Sequence, residues 1–190
     1  MPEGVFVHGS GLCESESVGS GTRVWAFAHV LPGAVVGRDC NICDGAYVEG
    51  GARVGDRVTI KNQVMIFDGV TIEDDVFLGP GVIFTNDFTP RAFIKKHGAE
   101  LDTTTVSKGA TLGAGVVVVC RTTIGAYAFV GAGAVVTRDV PAHAFVVGNP
   151  GRVIGWVCEC GRRLPDDLTC SCGRSWTDSD GTLRPRAASQ

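Results

Sequence analysis

The chain has 190 residues, of which 44% are hydrophobic and 7% aromatic, so it is long enough for one main folded domain and a small appendage. Its formal net charge of −3 argues against nucleic acid or an acidic membrane surface as a partner. Glycine is frequent, with 27 residues, which predicts many backbone positions where a side chain would not fit.

The N-terminal stretch MPEGVFVHGSGLCES lacks a basic start followed by an apolar segment, and no run approaches the roughly eighteen apolar residues of a membrane span. We therefore expect neither a secretory signal nor membrane insertion. The chain has eight cysteines, and we expect a reducing, cytoplasmic location in which a cysteine cluster binds metal rather than forming disulfides.

An apolar residue recurs at every sixth position over the first half of the chain. The series is Leu12, Val18, Val24, Val30, Val36, Ile42, Val48, Val54, Ile60, Ile66, Ile72, Leu78 and Phe84. With 44% apolar residues, thirteen successive matches at one phase would arise by chance on the order of once in forty thousand trials. A second block, from Val106 to Val136, repeats the period.

This period of six fits neither an amphipathic helix nor an isolated strand, but it fits a triangular parallel solenoid in which three hexads make one coil. The large residue would fill the interior, and a small residue four positions later would fit the corner. Four coils are expected before Phe84 and roughly two more after it. Glycines directly after the large residue are expected to form turns, namely Gly19, Gly37, Gly55, Gly79, Gly113, Gly125 and Gly131.

The period stops after Phe84 for about twenty residues, so residues 85–105 are predicted to form an insertion that leaves the stack. A solenoid tolerates such an insertion, because each coil needs only its neighbours. A loop of this length without a repeat indicates a functional wall of a pocket.

The segments GTRVWAFAHV, IFDGVTIEDDVFLGPGVIFTNDFTPRA, AFVGAGAVVTRDVP and VVGNPGRVIGW resemble those of hexapeptide-repeat acyltransferases, in particular nucleotide-sugar enzymes that acetylate a 3-amino group. The resemblance covers residues 1–157. It implies an all-β fold, a left-handed parallel β-helix. It also implies a homotrimer with sites between subunits, and transfer of acetyl from acetyl-CoA to the amine of a UDP- or dTDP-linked amino sugar.

The resemblance also implies roles for individual residues. Asn86 corresponds to the asparagine that orients the sugar amine, and none of the four histidines occupies the position of the histidine base found in many hexapeptide acyltransferases. An amide cannot act as a base at neutral pH, so the role of Asn86 would be orientation. The resemblance also implies that the departing CoA sulfur helps to take the proton. Candidate substrate-binding residues are His29, Asp68, Asp87 and Arg91, each with an ordinary structural alternative such as a turn, a subunit contact or an exposed charge.

The second block is the candidate site for the acyl donor. Its small residues would let a thin pantetheine arm approach the backbone, and the two arginines could meet the CoA phosphates. The candidate residues are Gly113, Ala114, Gly131, Ala132, Arg138, Pro150 and Arg152, the last two in the segment GNPGR. Turn formation is the alternative role of each glycine taken singly.

The composition changes after Trp156. Cys158, Cys160, Cys170 and Cys172 form two pairs, each followed by glycine, and four thiolates can surround a tetrahedral zinc ion. The pairs have one intervening residue where two are usual, so disulfides or free thiols remain alternatives. We predict a structural zinc ribbon at 158–177 and a flexible tail at 178–190.

Three alternatives to the amino-sugar N-acetyltransferase stay open at this point. One is an O-acetyltransferase acting on a sugar or serine, which the lack of a histidine base argues against. A hexapeptide-type carbonic anhydrase needs three converging histidines, which the spacing does not suggest. A non-catalytic solenoid scaffold would use the ribbon to dock a partner.

Overall fold

The computed structural model describes residues 3–186. Short parallel strands stack into three sheets, which form the three sides of a prism. Sheet I contains β1 (Phe6–Val7), β3 (Arg23–Val24), β6 (Asn41–Ile42), β9 (Thr59–Ile60), β12 (Phe77–Leu78), β15 (Thr111–Leu112), β18 (Phe129–Val130), β20 (Ala144–Val147) and β21 (Arg152–Trp156).

The other two sheets follow the same stacking order. Sheet II contains β2 (Leu12–Cys13), β4 (His29–Val30), β7 (Tyr47–Val48), β10 (Met65–Ile66), β13 (Ile83–Phe84), β16 (Val117–Val118) and β19 (Val135–Val136). Sheet III contains β5 (Val35–Val36), β8 (Arg53–Val54), β11 (Val70–Ile72), β14 (Thr104–Val106) and β17 (Thr123–Ile124).

The predicted all-β parallel β-helix of hexapeptide repeats is confirmed, with eight parallel levels in sheet I where roughly six coils were predicted. The extra levels are β1 and β20, which lie outside the regular series. In the described part of the chain, helical structure is confined to a 3₁₀ turn at Gly98–Glu100, so no helix there is long and apolar enough to cross a membrane.

The apolar residues of the series from Val18 onward fill the interior, and Ile42, Ile60, Ile66, Leu78 and Phe84 are completely buried. Leu12 is the exception, because β2 pairs Leu12 with His29 and Cys13 with Val30, which turns Leu12 outward. Cys13 takes the interior position instead and packs against the core. The first coil is therefore one residue shorter than the repeat predicts. Leu12 falls on the sixth-residue spacing along the chain, but its side chain is not in the interior.

The glycines that follow the large interior residues begin turns, as predicted, and also allow close contact between coils. For example, the carbonyl of Gly113 accepts a hydrogen bond from the backbone N–H of Val116 (3.4 Å). Their φ angles are not in the left-handed region, which instead holds residues such as Gly33, Gly51 and Gly115. A Cβ at Gly113 would lie 2.6 Å from the backbone nitrogen of Ala132 in the next coil, closer than real side chains come. Glycine is needed at these positions because coils at the ~4.8 Å strand spacing leave no room for a methyl group, and not because the turn requires a left-handed residue there.

The C-terminal segment folds against the last coil. β21 runs antiparallel to β20 and leads into the cysteine pairs, and a hairpin of β22 (Trp176–Ser179) and β23 (Thr182–Pro185) follows. Leu183 of this hairpin is buried with Trp176 in a small core. The expected flexible tail at 178–190 is therefore folded up to residue 186, and residues 187–190 lie outside the described residues.

Candidate functional site

The chain leaves the stack between sheets II and III. Paired residues of successive coils are 18 positions apart, as for Val54 and Ile72, but 34 apart across the insertion, as for Ile72 and Val106. The insertion thus adds 16 residues, the difference between 34 and 18. The chain between β13 and β14, residues 85–103, forms the loop, and the backbone N–H of Asp102 donates to the carbonyl of Asn86 (2.8 Å) to close its base.

The loop folds back over the corners of the preceding coils and walls a cleft of about 550 Å³. The corner between sheets II and III contributes one or two residues from each of four levels, and the loop contributes the opposite wall. The lining residues are Leu31, Pro32, Glu49, Gly50, Asp68, Asn86, Asp87, Ile94, Lys95, Lys96, His97, Gly98 and Leu101. Three of the residues singled out from sequence, Asp68, Asn86 and Asp87, thus meet in one place.

Asn86 lies at the first bend of the loop, and its side-chain Nδ2 donates a hydrogen bond to the backbone carbonyl of Asp68 (3.2 Å). The backbone N–H of Asp68 in turn donates to Oε2 of Glu49 (2.8 Å). These bonds connect three successive coils and hold the amide of Asn86 at the cleft surface. An amide held this way can orient a polar ligand through its remaining donor and its oxygen.

Asp87 forms hydrogen bonds within the loop. Its Oδ1 accepts hydrogen bonds from Nζ of Lys96 (2.5 Å) and from the backbone N–H of Thr89 (2.8 Å). The hydrogen bond from Lys96 is the main cause that lowers the pKa of Asp87 below its usual value. A carboxylate that is already paired and whose pKa is lowered is a weak base, so this geometry favours a role in shaping the loop.

Two predicted substrate residues do not line the cleft. Arg91 is exposed on the loop, and its Nη1 donates to the carbonyl of Pro90 (2.9 Å). His29 projects from the outer face of sheet II, where its Nε2 lies 2.8 Å from Oε2 of Glu14 and its ring stands edge-on to Tyr47.

His97 and Glu49 also line the cleft, where His97 remains solvent-exposed. The signal that could have found His97 was the charged run IKKHGAE inside the insertion. Glu49 has no signal of its own, because it is one of many acidic corner residues and only the folded-back loop makes it a cleft residue.

The candidate acyl-donor residues fall into two groups. Ala114 and Ala132 are exposed at the corner between sheets I and II, with Gly113 packed under Ala132 and Gly131 under Val147. Arg138 and Arg152 line a second cleft, of about 250 Å³, at the C-terminal end of the stack. Pro150 follows a cis peptide bond in the turn between β20 and β21 and does not line that cleft.

The four C-terminal cysteines converge. Their sulfur atoms all lie within 4.8 Å of one another, and Cys158–Cys172 and Cys160–Cys170 are each 3.6 Å apart. Four thiolates at 2.3 Å from a tetrahedral zinc would be about 3.8 Å apart, whereas disulfide sulfurs are about 2.0 Å apart.

Comparison with known proteins identifies the family of the chain. Residues 17–50 match the family model described as bacterial transferase hexapeptide (six repeats). The chain is 52% identical over 184 residues to dTDP-3-amino-3,6-dideoxy-alpha-D-galactopyranose 3-N-acetyltransferase of Aneurinibacillus thermoaerophilus, covering 95% of each. Serine acetyltransferase 4 of Arabidopsis thaliana is 48% identical over 54 residues, which is 28% of this chain and 15% of that protein.

Solved structures of acetyltransferases share this fold. The chain superposes on a mutant GDP-perosamine N-acetyltransferase of Caulobacter crescentus, in complex with CoA and GDP-perosamine, with a TM-score of 0.57 and 26% identity, covering 67% of this chain and 53% of that one. A hexapeptide-repeat acetyltransferase of Vibrio cholerae in complex with acetyl-CoA gives a TM-score of 0.57 and 26% identity, covering 66% and 72%. Because its full-length relative is 52% identical, this chain belongs to the hexapeptide-repeat family of nucleotide-sugar acetyltransferases, as its repeats and motifs predicted.

Proposed function

We propose that this chain transfers the acetyl group of acetyl-CoA to the 3-amino group of a nucleotide-linked 3-amino-deoxyhexose. The observation that carries the proposal is the 52% identity, over 95% of both chains, to a 3-N-acetyltransferase for a dTDP-linked amino sugar. The cleft under the loop supplies the kind of site this reaction needs, since it is polar and is built around an asparagine and acidic groups.

The reaction forms a bond between the amine nitrogen and the thioester carbon, and then breaks the bond between that carbon and sulfur. The amine must attack as a neutral group held close to the carbon. We propose that Asn86 orients this amine, because its amide is fixed at the cleft surface by Asp68. The nitrogen loses its proton as the thiolate leaves, so the departing sulfur can accept it and no separate base is required.

The carboxylates of Asp68 and Glu49 give this wall of the cleft negative charge. These carboxylates suit the local charge of the sugar amine, which is mainly an ammonium ion at neutral pH, while Lys95 and Lys96 on the opposite wall suit the phosphates of the nucleotide. Deprotonation of this ammonium then limits the reaction at low pH, so kcat/KM should rise with pH until the amine is neutral.

We propose that acetyl-CoA lies along the second block of repeats. The small exposed corners at Ala114 and Ala132 let the pantetheine arm approach, and the charges of Arg138 and Arg152 suit the CoA phosphates. Substitution of either arginine by alanine should raise KM for acetyl-CoA with little change in kcat. Arg184→Ala, on the exposed side of the C-terminal hairpin, is the matched control.

The activity is tested by following release of the CoA thiol with a panel of dTDP- and UDP-linked 3-amino sugars. We expect release that depends on the amino sugar. Asn86→Ala should lower kcat/KM by about a hundredfold, the usual effect of misplacing a reacting group by about 1 Å. Asn62→Ala, an exposed corner asparagine, should leave it unchanged. Absence of thiol release with every amino sugar would refute the proposed reaction, and full activity of Asn86→Ala would refute only the role of Asn86.

An O-acetyltransferase is the weaker alternative. The serine acetyltransferases that match cover only 26–39% of this chain, so the similarity is limited to part of the repeats. The same thiol-release assay with serine or a neutral sugar distinguishes it, because an O-acetyltransferase would not need an amine.

We propose that Cys158, Cys160, Cys170 and Cys172 hold a structural zinc ion. Support comes from the four sulfur ligands and their separations, which suit a tetrahedral ion. Four protein ligands leave no open position, so the ion would stabilise the ribbon and take no part in acetyl transfer.

We propose a homotrimer whose sites lie between subunits. The loop leaves Phe88 and Phe93 exposed to 53% and 83% in the single chain, and exposed aromatic side chains on one loop suit a subunit contact. Light scattering should give three chains per particle, and Phe93→Ser should weaken the assembly. A monomer in solution would refute this arrangement. The nucleotide and the cytoplasmic location stay predictions.

A further inference from the structure

A column of side chains runs along the corner between sheets III and I. At each level one residue adopts the left-handed conformation, as at Arg57 (φ 57°), Asp75 (61°), Tyr127 (57°) and His143 (62°). These residues contact their counterparts one coil away. Nε of Arg57 donates to Oδ1 of Asp75 (2.6 Å), and the ring of Tyr127 stacks on that of His143 with centroids 5.2 Å apart.

The ribbon supplies the next member of this column. The ring of Trp176 lies 4.5 Å from that of His143, on a side chain that is 1% exposed. The backbone N–H of Val157 donates to the carbonyl of His143 (2.8 Å), and Nδ1 of His143 donates to the carbonyl of Val157 (3.1 Å). Trp176 therefore extends the column beyond the last regular coil, with its ring packed against that of His143 at an interplanar angle of 53°.

The first cysteine pair is also tied to the end of the stack. The backbone N–H of Leu164 donates to the carbonyl of Trp156 (2.8 Å), and Nη2 of Arg163 donates to that of Ile154 (3.2 Å). Trp156 packs against both the core of the β-helix and the small core of the ribbon. β21, the last strand of sheet I, thus pairs with β20 on one side, and its C-terminal end leads into the ribbon, which is hydrogen-bonded back to it.

The ribbon has few apolar side chains of its own. Its core consists of Leu164, Trp176 and Leu183 with two cysteines, which is far less than a small domain needs to fold alone. The binding energy of a metal ion in such modules is folding energy. A solenoid, in turn, needs a terminal cap, because the last coil has no neighbour to cover it.

We propose that the metal-loaded ribbon is the end cap of the β-helix, so that metal bound at the four cysteines stabilises β20, β21 and the last coils through Trp176, His143 and Trp156. This inference rests on the proposed metal site and is independent of acetyl transfer. If the ribbon were only attached to the β-helix through the chain, metal binding would not change the stability of the β-helix.

The experiment uses the full-length protein. Metal content is measured by mass spectrometry, and amide hydrogen exchange is compared before and after zinc removal with a chelator, and again after zinc is added back. We expect about one zinc ion per chain. Chelation should accelerate exchange in residues 123–157 by about tenfold or more, leave residues 23–54 unchanged, and be reversed by zinc. Cys160→Ser should reproduce the effect, whereas Cys13→Ser, outside the cluster, should retain its metal.

Two results would overturn the proposal. Purified protein that neither contains nor takes up zinc would remove the metal site. Faster exchange confined to residues 158–186 would show a ribbon that is metal-dependent but does not cap the β-helix. Because chelation acts on folded wild-type protein, the test holds even if the cysteine variant fails to fold.

Discussion

Gly113→Ala tests the inference that glycines after the large residues allow close contact between coils. The new Cβ would lie 2.6 Å from N and 2.9 Å from Cα of Ala132. Ordinary contact begins at 3.4 Å, so the coils must separate locally by 0.8 Å, the difference between 3.4 and 2.6. The hydrogen bond from N–H of Gly113 to the carbonyl of Val130, now 2.7 Å, would then reach the limit of about 3.5 Å. Overpacking and the weakened bond together should cost about 2–3 kcal/mol.

The assay is urea unfolding at a fixed protein concentration, together with steady-state kinetics. Gly9→Ala is the matched control, because its Cβ meets no atom within 4 Å and its φ is not left-handed, so its stability should change by less than about 0.5 kcal/mol. Gly113→Ala should also raise KM for acetyl-CoA, since it displaces the corner at Ala132. Equal stability of the two variants would refute the packing argument and leave Gly113 with its turn role alone.

Three further predictions concern the loop, the core and the ribbon junction. Lys96→Ala removes the partner of Asp87 and should raise KM for the nucleotide sugar in steady-state assays; an unchanged KM would count against loop positioning by this pair. Phe84→Ala empties a completely buried site and should destabilise the chain by about 3–5 kcal/mol in urea unfolding, whereas Phe77→Ala, half-exposed on sheet I, should cost clearly less. Burial lowers the pKa of His143 below 6.5 in the folded chain, so on acidification the unfolded chain binds a proton at this residue at a higher pH than the folded chain does. The stability should therefore fall as the pH drops below about 6.5. Asparagine tolerates the left-handed backbone at this position, so His143→Asn should make the stability depend less on pH in thermal unfolding between about pH 7.5 and 5. A pH dependence equal to that of the wild type would contradict the assignment to His143.

The repeat predicted the interior of the β-helix because it is a local rule. Each hexad places its large residue inward whatever the neighbouring coil does, and so the series from Val18 to Phe84 is buried as predicted. The rule fails at Leu12, where the first coil is one residue short. The sequence contains no local signal that distinguishes Leu12 from Cys13 as the interior residue, since the choice depends on the register with β4.

The candidate site was predicted in part. Asn86 and Asp87 follow the last regular strand directly, so their position at the cleft follows from the end of the repeat. Arg91 lies only four residues further along, yet it does not line the cleft, while His97 is brought back. The course of this loop depends on the pair between Lys96 and Asp87, which no periodic pattern encodes.

The sequence by itself determined the parallel β-helix, the place of its insertion, the cysteine cluster and the family, because each is written as a spacing or motif along the chain. Only the tertiary structure decided what depends on contacts between distant segments. The close stacking of Gly113 on Ala132, the cleft shared by Glu49 and His97, and the packing of Trp176 on His143 arise once coils and loop are brought together. Such contacts depend on distances in space, which sequence spacing does not specify.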